Sequence, residues 1–406
     1  MFKHALTGIR VTDFSWVGAG PLTTRFLAEC GAEVIKIETH KRPEILRVAP
    51  PFKDKEKGIE RSGYFSSRNP NKKSLSINMN HTRAREVVVP LIEKSDIVIN
   101  SFKAGQMEKW GLGYEDLKKV KPDIIYVDMP PWGNVGPYIK YKAFGALINS
   151  VTGFNYLSGN TDGFPIGTGT NYTDHIPVPT HLAFAIVVAL RHRRKTGEGQ
   201  YIEMPQMQAG IAVTSAVALM DYAANGRIQS RMGCRHLSFA PHGVYKVKGD
   251  RKWIAIAVFN NQEWVSLKEC MGNPRWAEDQ KFATDEGRLA NRDELDAQLE
   301  KWSSEQDGEE LMFNLQKMGV RSGLVYNAKE VIIDIQLQSR GFFVYLDHPE
   351  VGITLYTSSP VRMSKTPPGI RKHAPLLGQN TFEVLKNILQ LDEAAITELQ
   401  NEGVLE

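Results

Sequence analysis

Asp174 is the carboxylate best placed to do chemistry. It stands in Asn171-Tyr-Thr-Asp174-His-Ile-Pro177, between a glycine-rich stretch (Gly159 to Thr170) and a very apolar helix. A carboxylate between such segments is partly shielded from water, which raises its nucleophilicity. By pattern alone an Asp at the start of a helix is more commonly a cap, so both roles stand at this point. The loop Val17-Gly18-Ala19-Gly20-Pro21 follows a short apolar run and precedes a helix, where backbone N–H groups can receive phosphate. Glu38 ends the next strand, where a dinucleotide fold places its ribose-binding acid. Thr23 replaces the third glycine of that fingerprint and Pro21 lacks an N–H, so a nicotinamide site is disfavoured. A tight turn supporting the sheet and a close approach to another nucleotide both remain. Asn71-Lys72-Lys73-Ser74 reads as a solvated turn, and Arg191 to Lys195 as a basic helix end that meets the dipole favourably. His175 and His181 lack a HExxH frame or a third nearby ligand, so no metal site is expected. Neither a GxSxG elbow nor a GxxxxGK[ST] loop occurs.

The elements that must position these residues alternate. Ile9 to Phe14 is a short apolar run, Pro21 to Cys30 a helix, and Glu33 to Glu38 a strand. Thr82 to Lys94 (helix), Asp96 to Asn100 (strand), Tyr114 to Val120 (helix) and Ile124 to Asp128 (strand) continue the rhythm. Such alternation predicts an α/β fold with a parallel sheet covered by helices. A helix is expected from about Pro179 to Arg194. The pattern then changes to a hairpin around Gly249-Asp250 and helices near 261–271, 292–303 and 307–318. A second hairpin is expected around Pro349-Glu-Val-Gly352, and a last helix from about Thr381.

Composition bounds the function classes. The chain has 406 residues, enough for two or three domains. Hydrophobic residues make up 42% and charged residues 24%, which argues against disorder. A net charge of +4 is too small for a dedicated nucleic-acid binder. Cys30, Cys234 and Cys270 are too few and too scattered for a disulfide framework and fit a reducing cytoplasm. Met1 to Gly8 turns polar before any signal-like run develops. Leu182 to Leu190 is far shorter than the roughly 20 residues of a membrane span. It and Ala209 to Ala224 are read as buried helices.

Several segments together resemble one family. They are Asp13-Phe-Ser-Trp-Val-Gly-Ala-Gly-Pro21, Gly31-Ala-Glu-Val-Ile-Lys-Ile-Glu38, Asn71-Lys-Lys-Ser74, Ser101-Phe-Lys-Ala-Gly105, Trp110-Gly-Leu-Gly-Tyr114, Asp174 ahead of its helix, Lys195-Thr-Gly-Glu-Gly-Gln200 and Pro375-Leu-Leu-Gly-Gln379. In this order they are similar to the family III CoA-transferases, the group that includes formyl-CoA:oxalate and carnitine CoA-transferases. The resemblance implies a large Rossmann-like domain formed from both chain ends (1–224 and 331–406) and a smaller α+β domain (225–330). It implies two interlocked subunits, a homodimer or a heterodimer with a paralogue. It also implies that no cofactor is held permanently, coenzyme A arriving as a thioester substrate, and that no metal is needed.

The resemblance makes Asp174 the nucleophile, working through aspartyl anhydrides and an aspartyl-CoA thioester. The chemistry explains the residue type, because a carboxylate gives an anhydride reactive enough to return to a thioester, whereas a Ser ester would be a trap. Backbone N–H groups near 159–170 are expected to steady the oxyanions. Val17, Ala19, Ile77, Ser101 and Phe102 match the family's adenine and ribose neighbourhood. Gln106, Lys109, Trp110 and Lys142 match the rest of its CoA-contacting surface. Thr39 stands where the family often has Arg, and Asn80 where a Lys can occur, so His40, Lys41 or Arg42 are expected to take over phosphate contacts. A related acyl-CoA racemase branch uses a His that Ala143-Phe144-Gly145 lacks. Tyr172 to Pro179 resembles the branch that transfers CoA, with succinyl-CoA as donor, to (R)-benzylsuccinate in anaerobic toluene degradation. Other dicarboxylic or aromatic acids are the alternative acceptors. Trp16, Trp132 and Phe154 are candidates for an aryl pocket, core packing being their commoner role.

Overall fold

The computed structural model describes residues 4–406, so the first residues of the Met1 to Gly8 segment lie outside it. Two compact units emerge. The first holds Met1–Tyr156, Gly167–Gln229 and Gln336–Glu406; the second holds Leu157–Ile166 and Ser230–Ile335.

The first unit runs β1 (Arg10–Asp13), α1 (Ala19–Glu29), β2 (Glu33–Glu38), α2 (Gly63–Arg68), β3 (Lys73–Ser76), α3 (Ala84–Glu93), β4 (Ile97–Asn100), α4 (Gln106–Lys109), α5 (Tyr114–Val120), β5 (Ile125–Asp128), α6 (Gly145–Val151), α7 (Tyr172–His175), α8 (Pro177–Thr196) and β6 (Gln200–Glu203). The strands form one parallel sheet in the order β3-β2-β1-β4-β5-β6. That is the order of doubly wound nucleotide-binding sheets, whose ligands sit beyond the carboxyl ends of the strands. The strands are rich in Val and Ile because both faces are covered. On one face Ile35, Leu75 and Val98 pack with α3 and with Val384, Leu385 and Leu399 of the C-terminal segment. On the other, Val11, Ile97 and Ile125 pack with Leu27 of α1 and with Val178, Leu182 and Ile186 of α8.

The second unit has an antiparallel sheet of β7 (His242–Lys246), β8 (Trp253–Ala257) and β9 (Arg321–Leu324). Its own core includes Ile254, Trp264, Leu295 and Leu315. In the first unit, β10 (Phe343–His348) and β11 (Gly352–Thr357) form the expected hairpin.

Three expectations need correction. Asn71 to Ser74 is no solvated turn: β3 begins at Lys73, and the Lys72 side chain is fully buried against Asp13 at 3.3 Å. Ala209 to Ala224 is not a buried helix. Its Val217 and Met220 are 77% and 68% exposed, an apolar face turned outward. In α8, Leu182 and Ile186 are buried but Phe184 is 72% exposed. The helical stretch Tyr172–Thr196 is long and apolar enough to cross a membrane, though its inner face lies against the sheet.

Candidate active site

The loop between β1 and α1 is fixed from below by buried charge. Asp13 accepts hydrogen bonds from Ser15 N (2.9 Å), Thr24 Oγ1 (2.6 Å) and Lys72 Nζ (3.3 Å). Burial alone would raise its pKa, but Lys72 and Lys36 outweigh that and hold the carboxyl below its usual range. Burial pushes Lys72 down to about 8, partly offset by Asp13. Val17 adopts φ +65°, a conformation that a β-branched residue rarely takes. Its N–H donates to Glu44 Oε1 at 2.7 Å. The other Glu44 oxygen pairs with Lys36, 2.7 Å away, and Lys36 Nζ also donates to the Ser15 carbonyl. The strain at Val17 is therefore held by a specific buried pair.

This loop delivers Gly18 to Asp174. A Cβ on Gly18 would lie 3.1 Å from the Cβ of Asp174, and one on Gly145 would lie 2.2 Å from its Oδ2. Asp174 thus sits against the start of α1, where Gly18 provides no side-chain cap, and against the start of α6. The short α7 that carries it is pinned by Asn149, whose Oδ1 accepts from Thr173 N (3.0 Å) and Thr173 Oγ1 (2.6 Å). Asp174 caps neither α7 nor α8. Its side chain is buried, and its Oδ1 has no hydrogen-bond partner. Burial pushes its pKa up to about 6. Such a carboxylate is mostly ionised at pH 7 yet poorly solvated, the condition that favours attack on an electrophile.

His175 lies between Tyr64 OH (3.0 Å from Nε2) and Thr170 Oγ1 (2.8 Å from Nδ1). Burial, and then the positive charge of Arg68, lower its pKa to about 4, so it is neutral at pH 7. His181 Nδ1 bonds the Pro177 carbonyl at 2.7 Å. Among the described residues no group of three or more His, Cys, Asp or Glu is arranged to hold a metal.

A cavity of about 410 Å³ opens at the carboxyl ends of the strands. Trp16, Phe102 and Trp110 form its aromatic wall, meeting edge to face at 5.9 Å and 5.4 Å. Trp110 Nε1 donates to Asn80 Oδ1 at 3.3 Å. Lys41, Arg42 and Lys103 line the same cavity, and the Arg42 guanidinium lies 5.5 Å from the Trp16 ring centre. An aromatic wall with a basic lining suits a base joined to phosphates.

Of the residues expected at a CoA site, Ile77, Phe102, Gln106 and Trp110 line this cavity. Val17, Ala19, Ser101, Lys109 and Lys142 do not. Val17 packs against Leu46 and Phe65, and Ala19 belongs to the core. Ser101 Oγ accepts from Trp16 N (2.9 Å) and donates to Trp16 O (3.1 Å), so it holds the wall rather than forming it. Lys109 and Lys142 are exposed. Glu38 is no free ribose acid, because Arg47 grips both its oxygens at 2.8 Å and Ser74 Oγ donates at 2.7 Å. None of the three aryl candidates is a core residue. Trp16 lines the cavity, Trp132 meets Tyr138, and Phe154 stacks on Tyr172 at 4.7 Å. The glycine-rich stretch is divided: Gly159 and Gly163 belong to the second unit, while Thr170 holds His175 in the first. Sequence reasoning missed Lys103 and Gly145, and it read Gly18 as part of a phosphate-receiving turn, not as a neighbour of Asp174. Lys103 adjoins Phe102, a signal that was available; the glycines are linked to Asp174 only by the fold.

The chain is similar to known proteins over nearly its whole length. The profile described as CoA-transferase family III matches residues 6–381. Mouse succinyl-CoA:glutarate CoA-transferase is 31% identical, the match covering 99% of this chain and 90% of that one. The succinyl-CoA–L-malate CoA-transferase beta subunit of Chloroflexus aurantiacus is 30% identical, with 98% of each chain covered. A crystal structure of a CAIB/BAIF family protein from Brucella suis superposes with a TM-score of 0.87 at 30% identity, covering 95% of this chain and 100% of that one.

Proposed function

The chain belongs to CoA-transferase family III, so it transfers CoA from an acyl-CoA to a carboxylic acid, and on that premise we propose that Asp174 is its nucleophile, succinyl-CoA its donor and a second dicarboxylic acid its acceptor. The observation that carries the reading is the buried Asp174 carboxylate with one unpartnered oxygen. Its attack on the thioester carbonyl forms a mixed anhydride and releases CoA thiolate. The thiolate attacks the aspartyl carbonyl, giving aspartyl-CoA and freeing the donor acid. The acceptor carboxylate attacks that thioester, forming a second anhydride and again freeing the thiolate. Thiolate attack on the acceptor carbonyl gives the new acyl-CoA and restores Asp174. Every step exchanges one nucleophile for one leaving group, and exclusion of water protects both anhydrides.

The dicarboxylic reading draws on the relatives, which are named for succinyl-CoA with glutarate or L-malate. (R)-Benzylsuccinate belongs to the same chemical class, and the Phe154–Tyr172 stack two residues ahead of Asp174 offers an aryl neighbour. Coenzyme A occupies the cavity walled by Trp16, Phe102 and Trp110. The exposed apolar faces at Phe184 and at Val217 with Met220 support a dimer, with a second copy or a paralogue. Light scattering is expected to give at least twice the chain mass of 45.6 kDa.

An acceptor screen tests the substrate assignment. Purified protein, with a paralogue where one is required, is incubated with succinyl-CoA and glutarate, L-malate, (R)-benzylsuccinate, oxalate or carnitine, and products are read by mass spectrometry. New thioesters of the substituted or longer dicarboxylates are expected. Transfer to carnitine alone, with none to any of the dicarboxylates, would refute the reading.

A further inference from the structure

Arg68, at the end of α2, is a cation that pairs with no carboxylate among the described residues. The other buried cations near this loop are matched: Arg25 with Glu29 and Lys36 with Glu44, both at 2.7 Å, Arg47 with Glu38 at 2.8 Å, and Lys72 with Asp13 at 3.3 Å. Arg68 is half-buried, its Nε is fully buried without a hydrogen-bond partner, and no described carboxylate pairs with it. Its neighbours are Tyr64, which interacts with it through a side-chain hydrogen bond and whose ring centre lies 5.4 Å from the guanidinium carbon, and the like charge of Arg25. A guanidinium placed like this carries a desolvation cost that Tyr64 offsets only in part, which lowers its pKa.

The position relates it to the reacting group. Arg68 lies against Tyr64, whose hydroxyl is 3.0 Å from His175 Nε2, and His175 directly follows Asp174. The charge of Arg68 is felt at His175, and that of Asp174 at Tyr64. Arg68 does not line the cavity walled by Trp16 and Trp110, whose cations are Lys41, Arg42 and Lys103, so a CoA phosphate is not the anion it faces.

We propose that Arg68 binds the free carboxylate of a dicarboxylic substrate while the other carboxyl group, as thioester or acid, is at Asp174. This rests on the dicarboxylic reading above and assigns the residue that reads the second charge. The planar guanidinium matches a carboxylate with two parallel hydrogen bonds, which an ammonium cannot reproduce. A monocarboxylic acyl group leaves the guanidinium buried and unpaired, so the site discriminates against it.

Two donors with the same CoA portion provide the test. With a fixed acceptor, kcat/KM is measured for succinyl-CoA and for butyryl-CoA in wild type, Arg68→Met and Arg68→Lys, and CoA affinity is measured by calorimetry. Arg68→Met is expected to lower the succinyl-to-butyryl ratio by roughly thirtyfold or more, through succinyl-CoA, with CoA affinity unchanged. Arg68→Lys is expected to recover part of the ratio. If Arg68→Met does not fold, Arg68→Lys decides by the same ratio. An unchanged ratio, or an equal loss for both donors together with weaker CoA binding, overturns the assignment while leaving the dicarboxylic reading intact. Wild type that shows no preference for succinyl-CoA and transfers to no dicarboxylate sinks that reading itself, before any variant is compared.

Discussion

A Cβ on Gly145 would stand 2.2 Å from Oδ2 of Asp174, closer than any side chain could be tolerated. The carboxylate therefore lies against bare backbone on one side. On another, Gly18 leaves 3.1 Å between an added Cβ and the Cβ of Asp174. The two glycines leave room for the carboxylate where a side chain would crowd it.

Gly145→Ala is expected to cut CoA transfer by about a hundredfold, because the Asp174 carboxylate must move from its reacting position. Overpacking is expected to cost about 1–3 kcal/mol of stability. Gly18→Ala, with the looser contact, is expected to do less on both counts. Steady-state rates and urea melts of the two variants check this, and equal effects would contradict the ordering.

Asp174→Asn separates the functional role from a capping one through stability. The Asp174 pKa is raised by burial from 3.8 to about 6, so the folded chain binds its proton more tightly than the unfolded chain. Ionising it therefore opposes folding. The loss develops as pH rises from about 4 to 6 and persists above, reaching about 3 kcal/mol at most. Asp174→Asn is expected to be more stable than wild type at pH 7 and no different below pH 4. A cap would give the reverse, a loss of about 0.5–2 kcal/mol. In wild type, kcat/KM is expected to rise with pH through about 6 and then level off, as the carboxylate forms.

Trp110→Ala and Trp16→Ala are expected to weaken CoA binding about tenfold or more by calorimetry, since stacking on a base is worth about 1–3 kcal/mol. Lys109→Ala and Lys142→Ala, both exposed and off the cavity wall, are expected to change affinity little. Losses of similar size in all four would place CoA elsewhere.

What could be read in the sequence was local. Glu33–Glu38 and Tyr114–Val120 form the expected strand and helix with the expected bounds, because alternation and amphipathic spacing act within one element. β3 was missed because it opens on lysines, and a lysine can be buried when a distant segment supplies Asp13. Ala209 to Ala224 was misjudged because apolar spacing marks a face to be covered, not what covers it. Asp174 could be picked out as a shielded carboxylate from its neighbours in the chain. Its contacts with Gly18 and Gly145 could not, since only folding brings those segments together. Arg68 carries no local mark at all; its lack of a carboxylate partner among the described residues is a property of the packed fold.

The nucleophile is tested most directly by trapping. Wild-type protein and Asp174→Asn are incubated with succinyl-CoA, treated with hydroxylamine or borohydride, digested and mapped by peptide mass spectrometry. The account predicts a modified Asp174 in wild type. In Asp174→Asn it predicts no adduct, with CoA still bound and transfer reduced by several orders of magnitude, roughly the effect of losing a covalent nucleophile. An adduct on another residue, or near wild-type turnover by Asp174→Asn, would contradict it.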